Sequence, residues 1–391
     1  MTDLPRGLIG LLSAGNFVIG MGAFLVIGAL GPLARDLAMT APQAGWVLTS
    51  YAIAYAVLSP LLVSATGGLG RRRVMALGMA VFALAAILSA FAPTPAWLFG
   101  ARVVAAAGAG MVTPVAAAVA AGLAAPERRG KVLALVFMGL TIAQVLGVPA
   151  GSWIAYTYGW RVAFGCVAAL AVALAVLIWL RVPKGLAFQP VRLSDLASVL
   201  VNPRLMLAIT FTALFLGAIY VPFTYLAPLL EDRMGLARNG VTAALVVCGL
   251  GAVAGNLAGG WLSDRLGPFR TLLGLACLQV AVMPLLSVLP LPLPLALALF
   301  FGWNAGGYAF MAGQQVRLVT LAGPQAPVAL ALHAACIYVG AAFGAALGGW
   351  VVAGQGLQAL GVAGGLTAIL AVVSILVSQR VTPVDRAPTG A

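Results

Sequence analysis

Arg102 and His333 are the two residues of this chain best suited to hold or move charge, because each lies within a long apolar stretch, and His333 is the sole histidine. Arg102 follows Pro95 by seven residues, roughly 10 Å of helix at about 1.5 Å per residue. Two readings stand for it: a side chain that snorkels to a membrane surface, or a buried cation that attracts anionic groups. His333 also has two, a hydrogen-bonded packing residue or a polar contact and proton carrier, since free imidazole titrates near a pH of about 6.5. The acids are Asp3, Asp36, Glu127, Asp195, Glu231, Asp232, Asp264 and Asp385. None falls inside a predicted span, which leaves Arg102 as the only expected intramembrane charge. Proton-coupled carriers normally use buried ionisable groups, so coupling must run through something other than a membrane carboxylate, or be missing.

Other chemistries find no residues here. Cys166, Cys248, Cys277 and Cys336 each lie in an apolar run without a close partner in sequence, and read as small core residues rather than disulfides or a zinc site. Gly249, Gly251 and Gly255 imitate a dinucleotide fingerprint, but no strand precedes them, and no Gly-x-x-x-x-Gly-Lys-Ser/Thr loop occurs. The chain is expected to be no enzyme, and to hold no cofactor and no metal.

The elements that must position Arg102 and His333 follow from composition. Of 391 residues, 63% are hydrophobic and 7% charged, with a mean hydropathy of +1.11, far from the roughly one quarter charged of a soluble domain. The apolar runs are long and do not alternate, so the spans are helices rather than barrel strands. The net charge of +13 comes from basic residues placed singly or in short groups at the ends of apolar runs, which excludes a nucleic-acid partner. The first run, residues 7–30, is too long for the apolar region of a secretory signal, about 7–15 residues, and is retained as a span.

Spans are placed at 7–30, 43–65, 74–92, 96–121, 132–156, 161–180, 205–229, 241–262, 271–289, 294–316, 327–351 and 360–378. The chain is therefore an all-α membrane protein with twelve transmembrane helices in two six-helix bundles, residues 1–180 and 204–391, joined by a cytoplasmic linker at 181–203. Sixteen of the lysines and arginines collect on one side, leaving Arg35, Arg161, Arg233 and Arg238 on the other. That bias puts both termini in the cytoplasm. Outer turns are expected at Gly31-Pro32, Pro93-Thr94-Pro95, Tyr158-Gly159-Trp160, Met234-Gly235 and Leu289 to Pro294.

The two halves are related. Gly147, Gly151 and Trp153 return as Gly344, Gly348 and Trp350 at an offset of 197 residues (344 − 147), which also carries Gly70 to Gly267. Repeated bundles of spanning helices are a transporter plan. Small residues four apart, as in Gly147 and Gly151, Gly340 to Gly348 and Gly251 to Gly259, let helices approach closely, and Pro149 beside the first pair should bend its helix. Asn16, Gln144, Asn256, Asn304, Gln314 and Gln315 are polar at mid-span, with Tyr51, Tyr55, Tyr220 and Trp303 as amphipathic partners.

Gly139 to Gly151 resembles the fifth-helix antiporter motif of the major facilitator superfamily, in its twelve-span drug/proton antiporter branch. Asp264-Arg265-Leu266-Gly267 is similar to the family's loop motif, Gly70-Arg71-Arg72-Arg73 to its first-half copy, and Pro126 to Lys131 to its loop after the fourth helix. Gly159-Trp160-Arg161 and Thr224 to Leu230 resemble the bacterial group of arabinose and sugar-efflux, purine ribonucleoside-efflux and chloramphenicol-resistance permeases. Two departures stand out: Gly67 and Gly68 replace the usual Asp-Arg of the first loop motif, and Gly22-Ala23-Phe24 stands where sugar-efflux relatives often have Thr-Glu-Phe. The resemblance implies a pseudo-symmetric major facilitator fold in a bacterial-type inner membrane, with a midplane site between the halves. It also implies export of a small drug, sugar or nucleoside by alternating access with protons as coupling partner; the alternative is a passive facilitator. Arg102 matches the fourth-helix arginine that the family associates with proton transfer, and His333 and Tyr338 each stand where relatives tend to have asparagine. Asn16, Gln144, Tyr220 and Asn304 become cavity contacts on the same ground. The expected partners are the lipid bilayer, a small-molecule substrate and protons, and a monomer is expected.

Overall fold

The structure is a computed structural model that describes residues 6–124, 129–186 and 193–381. Among these residues there is helix and no strand, and twelve helical crossings are long and apolar enough to span a membrane. The chain divides into two compact units, Met1–Val191 and Arg192–Ala391.

In the first unit, α1 (Arg6–Asp36), α2 (Ala41–Ala65), α3 (Arg71–Ala90) and α4 (Pro95–Leu123) are continuous crossings. The fifth is composite: α5 (Arg129–Ile142), a π turn at Ala143–Gly147, then α6 (Val148–Tyr158). The sixth is α7 (Trp160–Arg181). Boundaries follow local chemistry. Thr40 and Gln43 form a reciprocal capping box at the start of α2, and Thr94 accepts from the Trp97 N–H at the start of α4, each satisfying backbone donors that a helix start leaves open. Gly159, at φ +95, turns the chain from α6 into α7, a conformation that glycine adopts without the usual Cβ penalty.

The second unit opens with α8 (Leu193–Leu200), a short helix inside the stretch read as linker, whose Val199 is buried with Leu205, Ile209 and Leu318. Its first crossing is broken after Pro222 into α9 (Pro203–Phe223) and α10 (Leu226–Met234). Then come α11 (Arg238–Leu266), α12 (Pro268–Val282) with a 3-10 extension at Met283–Val288, α13 (Leu293–Tyr308) with α14 (Phe310–Ala322), α15 (Ala326–Gln355) and α16 (Leu360–Val381).

Two boundary expectations are corrected. Gly31-Pro32 is not a turn, for α1 runs through it to Asp36, and the turn forms instead at residues 37–40, where Ala38 takes φ +50. The helices also outrun the predicted spans, so Asp36, Glu231, Asp232 and Asp264 sit in final helical turns. Apolar runs mark the lipid-crossing part of a helix, while backbone hydrogen bonding continues past it.

Glycine stripes set the closest packing. A Cβ on Gly147 would stand 3.0 Å from Met21 Cγ, one on Gly151 would stand 3.0 Å from Leu25 Cβ, and one on Gly139 would run into the Ser13 carbonyl. Each pair is 126 residues apart, so α1 and the fifth crossing run parallel and in register. Gly251, Gly255 and Gly259 of α11 likewise press on the carbonyls of Phe301, Ala305 and Ala309. Six of the eight tryptophans, Trp46, Trp97, Trp153, Trp179, Trp261 and Trp350, are exposed, and Trp160 and Trp303 are buried.

Candidate functional site

In the first unit Arg102 does not snorkel. It is buried, with Nη1 donating to the Gly22 carbonyl at 2.9 Å and Nη2 to the Ala23 carbonyl at 3.2 Å. Its guanidinium carbon lies 4.5 Å from the centre of the Tyr51 ring and 5.7 Å from that of Phe164. Four helices, α1, α2, α4 and α7, therefore enclose the charge. A helical carbonyl keeps a second lone pair after accepting its own helix N–H, and this is what the two guanidinium nitrogens use. Position 22 has no room for a larger residue, since a Cβ there would lie 2.7 Å from Phe82 Cζ. The guanidinium thus meets carbonyl dipoles and aromatic faces. Arg102 Nε has no hydrogen-bond partner in the protein.

Two further polar groups belong to α1 and the fifth crossing. Asn16 is buried and donates through Nδ2 to the Val136 carbonyl at 3.0 Å, leaving Oδ1 without a protein partner. Gln144 lies on the π turn, and its Oε1 is also left over. Pro149, just beyond that turn, has no N–H to offer the Val145 carbonyl, and a π turn is a common accommodation of such a gap.

In the second unit His333 belongs to a chain of hydrogen bonds across three helices. Gln314 Nε2 on α14 donates to the Ala208 carbonyl at 2.7 Å and to Thr212 Oγ1 at 3.1 Å. Thr212 Oγ1 on α9 lies 2.9 Å from His333 Nδ1 on α15, and Phe310 meets the imidazole edge-on at 6.5 Å between centroids. All three polar side chains are buried, and two of their atoms, Gln314 Oε1 and His333 Nε2, have no hydrogen-bond partner. The chain can pass a change at the imidazole to α14 through one hydroxyl proton.

The other expected contacts are less directly available. Asn304 spends its amide on the Phe300 carbonyl of its own helix, Tyr220 is buried edge-on against Phe223 at 5.8 Å, and Tyr338 is buried on α15. Arg102 is not the only charge within a crossing: Arg317 is fully buried in α14, where Nη2 donates to Ser378 Oγ of α16 at 2.7 Å. The apolar run ends at Val316, which placed Arg317 in a loop, but the helix continues to Ala322.

The motif residues hold helix ends. Gly70 caps α3, Arg71 is buried at its start, and Arg72 stacks on Trp179 at 4.5 Å while donating to its carbonyl at 3.2 Å. In the second unit Asp264 is exposed, Arg265 lies 4.5 Å over Trp261, and Gly267 turns the chain at φ +79. Pro126, Glu127 and Arg128 of the loop motif, and the linker's Arg192, lie outside the described residues, as do the side chains of Arg129 and Lys131. Among the described residues no cluster of three or more His, Cys, Asp or Glu could hold a metal ion. Thr212 is the partner that sequence reasoning missed.

A family model described as Major Facilitator Superfamily matches residues 12–326. Over 373 residues the chain is 31% identical to the Inner membrane transport protein YdhP of Escherichia coli strain K12, covering 95% of this chain and 96% of that one. It is 26% identical over 371 residues to a Probable sugar efflux transporter of Pasteurella multocida, covering 93% and 90%. Its fold matches the crystal structure of a bacterial homolog to the human lysosomal transporter Spinster with a TM-score of 0.77, at 16% identity and over 97% of this chain and 98% of that one.

Proposed function

Because the chain belongs to the major facilitator superfamily, whose members are transporters and not enzymes, we propose that it is a secondary active exporter that works by alternating access and takes protons as coupling ion. The observation that carries this reading is the Gln314–Thr212–His333 chain. With its hydrogen on Nε2 the neutral imidazole accepts the Thr212 proton at Nδ1, whereas a protonated one must donate there. Taking up a proton therefore forces the hydroxyl to turn, and the amide of Gln314 on α14 feels it. Binding a proton is linked to a helix–helix contact, which a coupled carrier requires.

Arg102 serves as a fixed charge in this scheme. Its guanidinium stays protonated across physiological pH, and it orders α1, α2, α4 and α7 rather than releasing a proton. Asn16 Oδ1 and Gln144 Oε1, the acceptors left over, suit the hydroxyl or amine hydrogens of a small, largely uncharged or amphipathic compound. Sugars, nucleosides and hydroxylated drugs carry such donors. The relative named as a sugar efflux transporter supports this class.

A passive facilitator is the second reading, favoured by one observation: Asp36, Glu231, Asp232 and Asp264 all lie in terminal turns. Purified protein in proteoliposomes with an imposed proton gradient separates the two. Accumulation of a sugar, nucleoside or antibiotic against its own gradient supports coupling, and equilibration without accumulation supports the facilitator. A growth screen of deletion and overexpressing strains chooses the compounds to test.

A further inference from the structure

At the helix ends opposite the Arg71–Arg73 loop, the first unit is tied by one arginine. Arg161, at the start of α7, pairs with the Asp36 carboxylate at the end of α1, and its Nη2 donates to the Ala92 carbonyl between α3 and α4 at 3.0 Å. The second unit is tied at its own corresponding helix ends by Arg233, at the end of α10. Its Nη2 donates to the Leu289 carbonyl ahead of α13 at 2.9 Å, and its Nη1 to Gln358 Oε1 ahead of α16 at 3.3 Å. These residues correspond one to one. Adding 197 carries Asp36 to Arg233, Ala92 to Leu289 and Arg161 to Gln358.

The backbone keeps the same correspondence. Ala38 at φ +50 maps onto Gly235 at φ +62, and Gly159 at φ +95 onto Gly356 at φ +81. The neighbouring residues invert their charges in step, since Arg35-Asp36 becomes Asp232-Arg233. In both units a single guanidinium spans a side-chain acceptor and a loop carbonyl, but it reaches from the sixth crossing in one unit and from the first in the other. We infer that Arg161 and Arg233 are one device, a guanidinium clamp that joins the ends of the first and sixth crossings to the loop between the third and fourth, and that the arginine can be carried by either helix.

The carbonyl corner stays constant while donor and acceptor trade places on the other two. That pattern follows if the clamp is required and its polarity is not. With each of these three ends fastened, the rim of a unit resists splaying and moves as a block. The side chains of Arg161 and Asp36 are 41% and 46% exposed, so the strength of the clamp comes from one guanidinium holding two corners at once more than from the ion pair alone.

Converting the first clamp into the second tests this directly. D36R places two guanidiniums together, and R161Q removes the donor to both acceptors; each single variant of the full chain in detergent should shorten the half-life of the folded state at a fixed temperature by about three- to tenfold. D36R/R161Q rebuilds the guanidinium arrangement of the second unit, although Trp160 Nε1 loses its bond to Asp36, and should outlast both single variants by at least about twofold. A double variant no better than the worse single, or singles that match the parent, would overturn the proposal. The reciprocal set, R233D, Q358R and R233D/Q358R, tests the second unit independently, and decides alone if D36R does not accumulate.

Discussion

Thr212 Oγ1 stands 2.9 Å from His333 Nδ1 and, on its other side, accepts a hydrogen bond from Gln314. A hydroxyl oxygen keeps a second lone pair, so the contact serves both neutral forms of the ring: with its hydrogen on Nε2 the imidazole takes the Thr212 proton at Nδ1, and with it on Nδ1 the ring donates to Oγ1. His333→Gln is therefore expected to flatten the pH dependence of efflux while leaving downhill exchange intact. Thr212→Val, which keeps the shape and removes the hydroxyl, should act in the same direction. Uphill transport in proteoliposomes with an unchanged pH profile in His333→Gln would rule the imidazole out as the carrier.

Arg102 makes two hydrogen bonds to helix carbonyls and faces two aromatic rings. Charged hydrogen bonds contribute roughly 1.5–3 kcal/mol each, and a desolvated cation–π contact about 2 kcal/mol. Arg102→Ala should lose active efflux. Arg102→Lys should recover little of it, because one ammonium cannot span the Gly22 and Ala23 carbonyls and lie flat on Tyr51. Rates per molecule of membrane-inserted protein check this, and full activity of the lysine variant counts against a guanidinium requirement.

The stripe facing α1 gives a steric prediction. Gly147 has 3.0 Å to Met21 Cγ for a Cβ alone, so Gly147→Leu must push α1 and the fifth crossing apart. Transport should be abolished while the protein still reaches the membrane, as measured by efflux against an immunoblot of membrane fractions. Gly354, whose Cβ would meet nothing within 4 Å, is the control, and Gly354→Leu should transport normally.

Ala38 holds a left-handed turn that Gly235 holds in the second unit. A Cβ in that conformation costs about 1–2 kcal/mol, partly offset by the greater freedom of glycine in the unfolded chain. Ala38→Gly is expected to stabilise the protein by about 0.5–1 kcal/mol, seen as a higher midpoint in thermal unfolding. A lower midpoint would mean that the turn is not strained.

Orientation rests on the bias of basic residues toward one end of the spans. Reporter fusions after Gly130 and after Lys184 should report the cytoplasm, and one after Gly235 the exterior. A fusion on the opposite side breaks this topology.

Much of this architecture is legible in the sequence, because a bilayer enforces long apolar helices and glycine stripes advertise close approach. The pair Gly147 and Gly151 is readable as packing, although its partner α1 and the contact at Gly139 are not. Thr212 was invisible for a physical reason: a threonine in a helix ordinarily bonds the carbonyl four residues back, as Thr210 does with Met206, and only the fold brings His333 to it. Arg317 was misplaced because hydropathy reports where lipid-compatible residues stop, not where a helix does. The 197-residue repeat is plain at glycines and hidden at the clamp, where Asp36 and Arg233 are as unlike as two residues can be.

The placement of the tryptophans has a spectroscopic consequence. Brominated acyl chains quench indoles by contact, so in such lipids the exposed rings should dim, and the residual emission should come chiefly from Trp160 and Trp303. Trp160 Nε1 is bonded to Asp36 at 3.1 Å, and Trp303 lies 6.0 Å from Phe223 beside the broken end of α9. What remains visible is then a two-colour optical readout, one indole for the first clamp and one for the interior of the second unit, available without adding any label.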